Sequence, residues 1–101
     1  MNLIMANICD NTMFVSSENR ANLDTVINFL NDTIEYYDCD DGEDYLDIYF
    51  DSKWVFPEEL MQRLFEAIPD KSDIYMRCLS VEYGCLYHAL WVCDSNGWKE
   101  V

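Results

Sequence analysis

The chain has 101 residues, half of them apolar, and its 20 acidic and 6 basic side chains give a formal net charge of −14. This length fits one domain, 1–101, and the apolar content is enough for a small core, which excludes a chain that is disordered throughout. A net charge of roughly 2 to 8 in magnitude already keeps a small domain soluble, so solubility alone does not account for the acidity. Negative charge also disfavours direct binding to nucleic acid phosphates. We therefore expect a basic partner, such as a nucleic-acid-binding protein, a cation or a positively charged groove.

The N-terminal segment and the cysteines indicate the cellular compartment. Residues 1–6 are expected to be a leader without a strand partner, and they lack the basic region and long apolar core of a secretory signal. No apolar run approaches the roughly 20 residues that a membrane-spanning helix needs. Without export, the cysteines are expected to be reduced thiols that pack as small hydrophobic side chains. They are Cys9, Cys39, Cys78, Cys85 and Cys93. We expect a cytosolic protein that contacts no membrane.

The first predicted elements are a strand and a helix. The β-branched and aromatic residues that end Cys9–Ser16 predict a strand, which starts at Cys9 or, after a turn, at Asn11. Ser16 and Ser17 offer a cap for a helix that runs from about Ser17 to Ile34. Its apolar residues recur at helical spacing and predict one buried face. They are Leu23, Val26, Ile27, Leu30 and Ile34.

The most acidic stretch runs from Glu35 to Asp51, with eight carboxylates in seventeen residues and no Lys, Arg or His. Its second half, Tyr45–Asp51, alternates tyrosine and aspartate with apolar residues, and this period of two predicts a strand with one buried face and one Tyr/Asp face. Its first half, Tyr36–Asp44, is interrupted by Gly42 and is predicted to be an acidic loop.

The remaining pattern predicts a helix and three strands. Pro57 is predicted at the first helical position, followed by two acids, and Pro69-Asp70 ends the helix. The predicted strands are Asp73–Val81, Cys85–Cys93 and Trp98–Val101, with a turn at Asp94–Gly97 in which glycine supplies a positive φ. The order β-α-β-α-β-β-β predicts an α+β fold with two helices on one face of a mainly antiparallel sheet.

Three short motifs resemble one known family. The segment Met5–Thr12 reads Met-Ala-Asn-Ile-Cys-Asp-Asn-Thr, the segment Phe50–Pro57 reads Phe-Asp-Ser-Lys-Trp-Val-Phe-Pro, and Asn96-Gly97-Trp98 forms a terminal turn. These motifs are similar to those of the YubB-type ferredoxin-like domain family, whose members are small proteins carried by plasmids, phages and other mobile elements. The resemblance implies a ferredoxin-like two-layer sandwich without an iron–sulfur cluster, and it supplies no catalytic residues.

The acidic segment and the Cys/His residues do not have the spacing of a metal site or the environment of a catalytic thiol. The segment Asp38–Asp44 is acidic, but its Gly42 does not fall in frame with the other ligands of a calcium loop. Cys78, Cys85, His88 and Cys93 lack the paired short spacings of a zinc site. An acidic environment raises a thiol pKa, which disfavours a reactive thiolate. We expect no metal, no cofactor and no catalysis.

Carboxylates interleaved with tyrosines predict a partner-binding surface, because tyrosine adds contact area and hydrogen bonds to the steering provided by charge. The predicted partner-binding residues are Asp38, Asp40, Asp41, Glu43, Asp44, Tyr45, Asp47, Tyr49 and Asp51. The mobile-element setting implied by the resemblance suggests an anti-CRISPR protein in the cytoplasm of a bacterial host. Such a protein would act as a DNA mimic on a basic nucleic-acid-binding protein or ribonucleoprotein.

The alternative is a structural or homo-oligomeric module whose acidity serves only solubility. It predicts a possible homodimer formed through an exposed aromatic edge at Trp91 and Trp98.

Overall fold

The structure, a computed structural model, describes residues 8–84 and 86–101. Its strands are β1 Ile8–Ser16, β2 Tyr37–Asp41, β3 Tyr45–Lys53, β4 Tyr75–Glu82, β5 Tyr87–Asp94 and β6 Gly97–Glu100. Its helices are α1 Arg20–Thr33 and α2 Glu58–Ala67, and a short 3-10 helix covers Lys71–Asp73. The predicted leader, the first three residues of the Met5–Thr12 motif and Cys85 lie outside the described residues.

Six strands form one sheet in the order β2-β3-β1-β4-β5-β6, and all neighbouring strands are antiparallel. Helix α1 connects β1 to β2 with β3 lying between them, and α2 connects β3 to β4 with β1 lying between them. Both helices contribute to a core that lies against one face of the sheet. The predicted α+β class with an antiparallel sheet is therefore confirmed, and the arrangement fits a two-layer sandwich.

The prediction of a loop at Tyr36–Asp44 is wrong. Residues Tyr37–Asp41 form an edge strand that pairs with β3, so the observed order is β-α-β-β-α-β-β-β. Aspartate is depleted in strands, and three of the five residues of β2 are aspartates. Pairing with β3 and packing of Tyr37 and Cys39 against the core outweigh that low propensity.

Both helices begin close to the predicted positions. Helix α1 is capped by Asn19, whose side-chain oxygen accepts from the Ala21 N–H at 3.0 Å, and not by the predicted serines. Ser17 is buried instead, and its N–H donates to the Asp44 carbonyl at 3.1 Å. Pro57 occupies the cap position of α2, so the helix starts one residue later than predicted and keeps the two acids in its first turn.

The core is formed by the inner faces of the central strands and the apolar stripes of both helices. The predicted buried face of β3 is confirmed, as is the positive φ of Gly97 in the last hairpin. The inner face of β4 is also buried. Fully buried core side chains are Met13, Val15, Leu23, Val26, Leu30, Leu46, Ile48, Met61, Leu64 and Met76. Within residues 8–84 and 86–101, no helix combines the length and apolarity that crossing a membrane would require.

A buried amide joins the two halves of the helical layer. Asn22 on α1 is fully buried, and its Nδ2 donates to the carbonyls of Asp70 and Asp73, both at 2.9 Å. Its Oδ1 accepts from the Asp70 N–H at 3.0 Å. Asn22 therefore fixes the connection between α2 and β4 against α1.

The prediction of an exposed aromatic edge at Trp91 and Trp98 is wrong. Both rings are half-buried and pack against the core. Phe56 stacks on Trp91 with ring centroids 4.5 Å apart and meets the edge of Trp98 at 5.4 Å. The Trp98 Nε1–H donates to the Met61 carbonyl at 2.9 Å, which anchors the last strand to α2.

Candidate functional site

The sheet face opposite the helices is the candidate site, and we call it the open face. Side chains alternate along each strand, and residues directly opposite each other on neighbouring strands share a face. The burial of β1, β3 and β4 alternates accordingly, with core residues on one side and exposed residues on the other. The carboxylates that this alternation places on the open face of β1, β2 and β3 are Asp10, Asp38, Asp40, Asp47 and Asp51.

Two pairs of these carboxylates lie directly opposite each other. Asp40 on β2 is in register with Asp47 on β3, and Asp51 on β3 is in register with Asp10 on β1. Like charges in such positions destabilise a sheet. Two unit charges about 6 Å apart repel by about 0.7 kcal/mol in bulk water, and by more where water is partly displaced. The open face therefore concentrates negative charge at a cost in folding stability.

A groove lies at one end of this acidic region. It has a volume of about 550 Å³ and is bounded by the ends of β1 and β3 and by the segment that connects α1 to β2. Its acidic and tyrosine lining residues are Asp10, Glu35, Asp38, Asp51, Tyr36, Tyr37 and Tyr49. Partial burial raises the pKa of Asp51, and the hydrogen bond and charge of the Asp10 carboxyl raise it further. The groove thus combines four carboxylates with aromatic walls, a lining suited to an amine or guanidinium group.

Aromatic side chains continue from the acidic strands towards the middle of the open face. The rings of Phe14 and Tyr45 are stacked with centroids 6.2 Å apart, and Tyr75 approaches Phe14 from the other side at 6.5 Å. Gly42 permits this arrangement, because a Cβ at that position would collide with the Tyr45 ring. Tyr49 remains 47% exposed between the carboxylates. These rings are positioned for contact with a partner.

The structure brings six of the nine predicted partner-binding residues onto the open face, namely Asp38, Asp40, Tyr45, Asp47, Tyr49 and Asp51. Asp41 falls on the helix side of β2, where its carboxylate accepts from Arg20 Nη2 at 2.8 Å. Glu43 and Asp44 lie in the connection between β2 and β3 and are exposed. They extend the acidic surface beyond the end of the sheet.

Four of the acidic and tyrosine residues that line the groove were not among the predicted site residues: Asp10, Glu35, Tyr36 and Tyr37. The sequence left Asp10 either in the first strand or in a turn before it, and its position opposite Asp51 depends on which strands are neighbours. Glu35 and Tyr36 lie directly before β2, and Tyr37 is its first residue, so their place at the groove depends on β2 being a strand. These residues could not be assigned to the site because the local sequence does not show which strands are neighbours.

The described cations leave the open-face carboxylates largely without ion pairs. Within residues 8–84 and 86–101, the ion pairs join Arg20 to Asp24 and Asp41, both on the helix side. Arg77 lies over the Phe14 ring at 4.4 Å, and Arg63 lies over the Phe29 ring at 5.8 Å. The open-face carboxylates are therefore not neutralised by ion pairs, and their negative field can attract a basic partner.

Two of the described thiols lie on the opposite face of the sheet from the histidine. Cys78 and Cys93 are buried on the inner face of the sheet, whereas His88 is exposed. Burial raises the pKa of both thiols to about 12. No group of three or more metal-ligating side chains comes together in the part of the chain that the structure describes, which excludes Cys85.

Comparison of the chain with known protein families, with curated proteins and with solved structures finds no match. The resemblance to YubB-type domains therefore stays a prediction.

Proposed function

We propose that the open face binds a basic, nucleic-acid-handling protein or ribonucleoprotein in the place of nucleic acid, and that the chain is a non-catalytic inhibitor. The observation that carries the proposal is the pairing of Asp40 with Asp47 and of Asp10 with Asp51 across adjacent strands. A lysine or arginine of the partner that lies between two such carboxylates attracts both of them. These attractions offset the repulsion between the two carboxylates that destabilises the unbound protein.

A rigid sheet is a suitable support for such a surface. Neighbouring strands lie about 4.8 Å apart, and successive side chains on one face of a strand are about 7 Å apart. The carboxylates of β1, β2 and β3 therefore form a dense array whose spacing does not depend on mobile loops. Such a field accelerates encounter with a basic groove in a manner that depends on salt.

The finer identity of the fold is part of this proposal. The strand order β2-β3-β1-β4, with each helix passing over one strand, supports a ferredoxin-like core that the hairpin β5–β6 extends. The motifs shared with YubB-type domains support a mobile-element protein that acts against host defence in the bacterial cytoplasm, with a CRISPR effector as the leading target. The acidic array would then act as a DNA mimic in the channel that normally holds nucleic acid.

The test compares two variants of equal net charge. In the face variant, Asp38, Asp40 and Asp47 are replaced by Asn. In the control variant, three exposed acids away from the open-face carboxylates are replaced by their amides: Asp32→Asn, Glu66→Gln and Glu100→Gln. Each protein is immobilised, exposed to a bacterial lysate and eluted with rising salt, and the captured proteins are then assayed for nucleic acid binding in competition with the soluble protein.

We expect the wild type and the control variant to capture nucleic-acid-binding proteins, to release them at the same salt concentration and to compete with nucleic acid. The face variant should lose both capture and competition. Equal capture by the face variant would refute the assignment of the site. Captured proteins that bind the wild type and nucleic acid at the same time would refute the mimicry.

A further inference from the structure

The half of the open face beyond the carboxylates carries apolar side chains beside the exposed Arg77 and His88. The solvent-facing side of an antiparallel sheet is ordinarily polar, but β4 and β5 place Leu79, Leu90 and Val92 there. Leu79 is 46% exposed although it lies in the middle of a six-stranded sheet. Both helices pack on the other face, so these side chains point away from the core.

Leu79 and Leu90 border a hollow of about 350 Å³, which we call the leucine hollow. Its lining includes Thr12, Phe14, Asp47, Arg77, Leu79 and Leu90. Thr12, Leu79 and Leu90 lie directly opposite one another on β1, β4 and β5 and form its floor.

The charges beside the hollow have a fixed order. One row across the sheet reads Asp40, Asp47, Phe14 and Arg77, because these residues are paired in register from β2 to β4. The Arg77 guanidinium lies over the Phe14 ring at 4.4 Å, and Phe14 separates β4 from Asp47 in this row. A ligand that crosses this row meets two carboxylates, then an aromatic ring with a cation over it, and the apolar floor lies in the row beside it.

We propose that the partner is a basic protein segment that also carries an apolar side chain, with lysine or arginine on the carboxylates of β2 and β3 and leucine, isoleucine, methionine or phenylalanine in the leucine hollow. This inference rests on the proposed function and names the chemistry of its partner. Charge complementarity fixes the orientation, since a cation of the partner is attracted by Asp47 and repelled by Arg77. The apolar anchor distinguishes the partner from one that recognises only the charge of a phosphate backbone.

Two synthetic peptides of equal length and charge test the inference, one repeating Lys-Lys-Leu and the other Lys-Lys-Ser. Their affinities are measured by calorimetry at about 50 mM and about 200 mM salt, because the contribution from charge falls steeply over this range. The proteins are the wild type, Leu79→Asn, Asp47→Asn and Leu86→Asn. Leu86 is the matched control, since it is 83% exposed, lies outside the hollow and has a φ of 58°, which asparagine tolerates.

We expect the leucine peptide to bind the wild type about tenfold more tightly than the serine peptide at both salt concentrations. Leu79→Asn should abolish this preference and leave the affinity for the serine peptide unchanged, whereas Leu86→Asn should preserve the preference. Asp47→Asn should weaken the binding of both peptides.

Equal affinity of the two peptides for the wild type, or a preference that survives Leu79→Asn, would overturn the inference while leaving the acidic contact in place. Absence of binding by either peptide would overturn the inference together with the proposed acidic contact. The free proteins are also sized. A wild-type dimer that Leu79→Asn converts to a monomer would show that a second copy fills the hollow, which also overturns the inference.

Discussion

The substitution Asp51→Asn tests whether the open face is under electrostatic strain. The amide keeps the shape of the side chain and removes one charge of the pair formed with Asp10. At a separation of about 6 Å, the lost repulsion is about 0.7 kcal/mol in bulk water. We therefore expect the free energy of unfolding at pH 7 to rise by about that amount. Asp47→Asn relieves the pair with Asp40 in the same way. Because the two sites lie about 13 Å apart along β3, their effects should add to about 1.4 kcal/mol.

The pH dependence of this gain follows from the direction of the pKa shift. The pKa of Asp51 is raised in the folded state, mainly by burial and then by Asp10, from its ordinary value of 3.8. The ionised carboxylate therefore destabilises the fold. This penalty is absent below pH 3.8, grows as the pH rises to the raised value and is constant above it. The difference between Asp51→Asn and the wild type should thus be present at pH 7 and disappear below the ordinary pKa.

The assay is urea denaturation followed by circular dichroism at low and high salt, with Glu100→Gln as the control at the far edge of the sheet. Screening at about 1 M salt should remove the part of the gain that comes from repulsion between the carboxylates. An unchanged or lower free energy of unfolding for both asparagine variants would refute the repulsion. An equal gain for Glu100→Gln would assign the effect to net charge and not to the paired carboxylates.

Two further predictions concern the fold that supports the open face. Asn22→Ala leaves the N–H of Asp70 and the carbonyls of Asp70 and Asp73 without this partner, so the free energy of unfolding should fall by about 2 to 4 kcal/mol in urea denaturation; a loss no larger than that of the exposed control Asn28→Ala would contradict this. Gly42→Ala should drive the Tyr45 ring off Phe14 at a cost of about 0.5 to 1.5 kcal/mol, and the substitution should cost nothing further in a Tyr45→Ala background.

The elements that local periodicity encodes could be predicted from the sequence. Alternation assigned the buried and exposed faces of β3, and the proline followed by two acids marked the start of α2 within one residue. In each case, the pattern reflects burial of one face of the same element. The Tyr/Asp face of β3 was predicted for the same reason.

The features that depend on distant pairing could not be predicted. Three aspartates in five residues hide β2, which exists because β3 offers it a partner. The alignment of Asp10 with Asp51 requires β1 and β3 to be neighbours, although the 28 residues 17–44 separate the two strands in the sequence. The sequence predicts an exposed Trp91 ring, which is wrong because Phe56, from the segment before α2, stacks on it. These relations follow from topology and leave little trace in local sequence.

The charge of Asp47 should have opposite effects on folding and on binding, and this opposition separates the proposed function from simple solubility. In the free protein, Asp47→Asn removes the repulsion from Asp40 and stabilises the fold. In a complex with a basic partner, the same substitution removes an attraction and weakens binding. A surface that serves only hydration has no complex to lose, so Asp47→Asn would then stabilise the fold without weakening any interaction. A gain in the free energy of unfolding together with a loss of affinity is the result that a polyanion-like binding face requires.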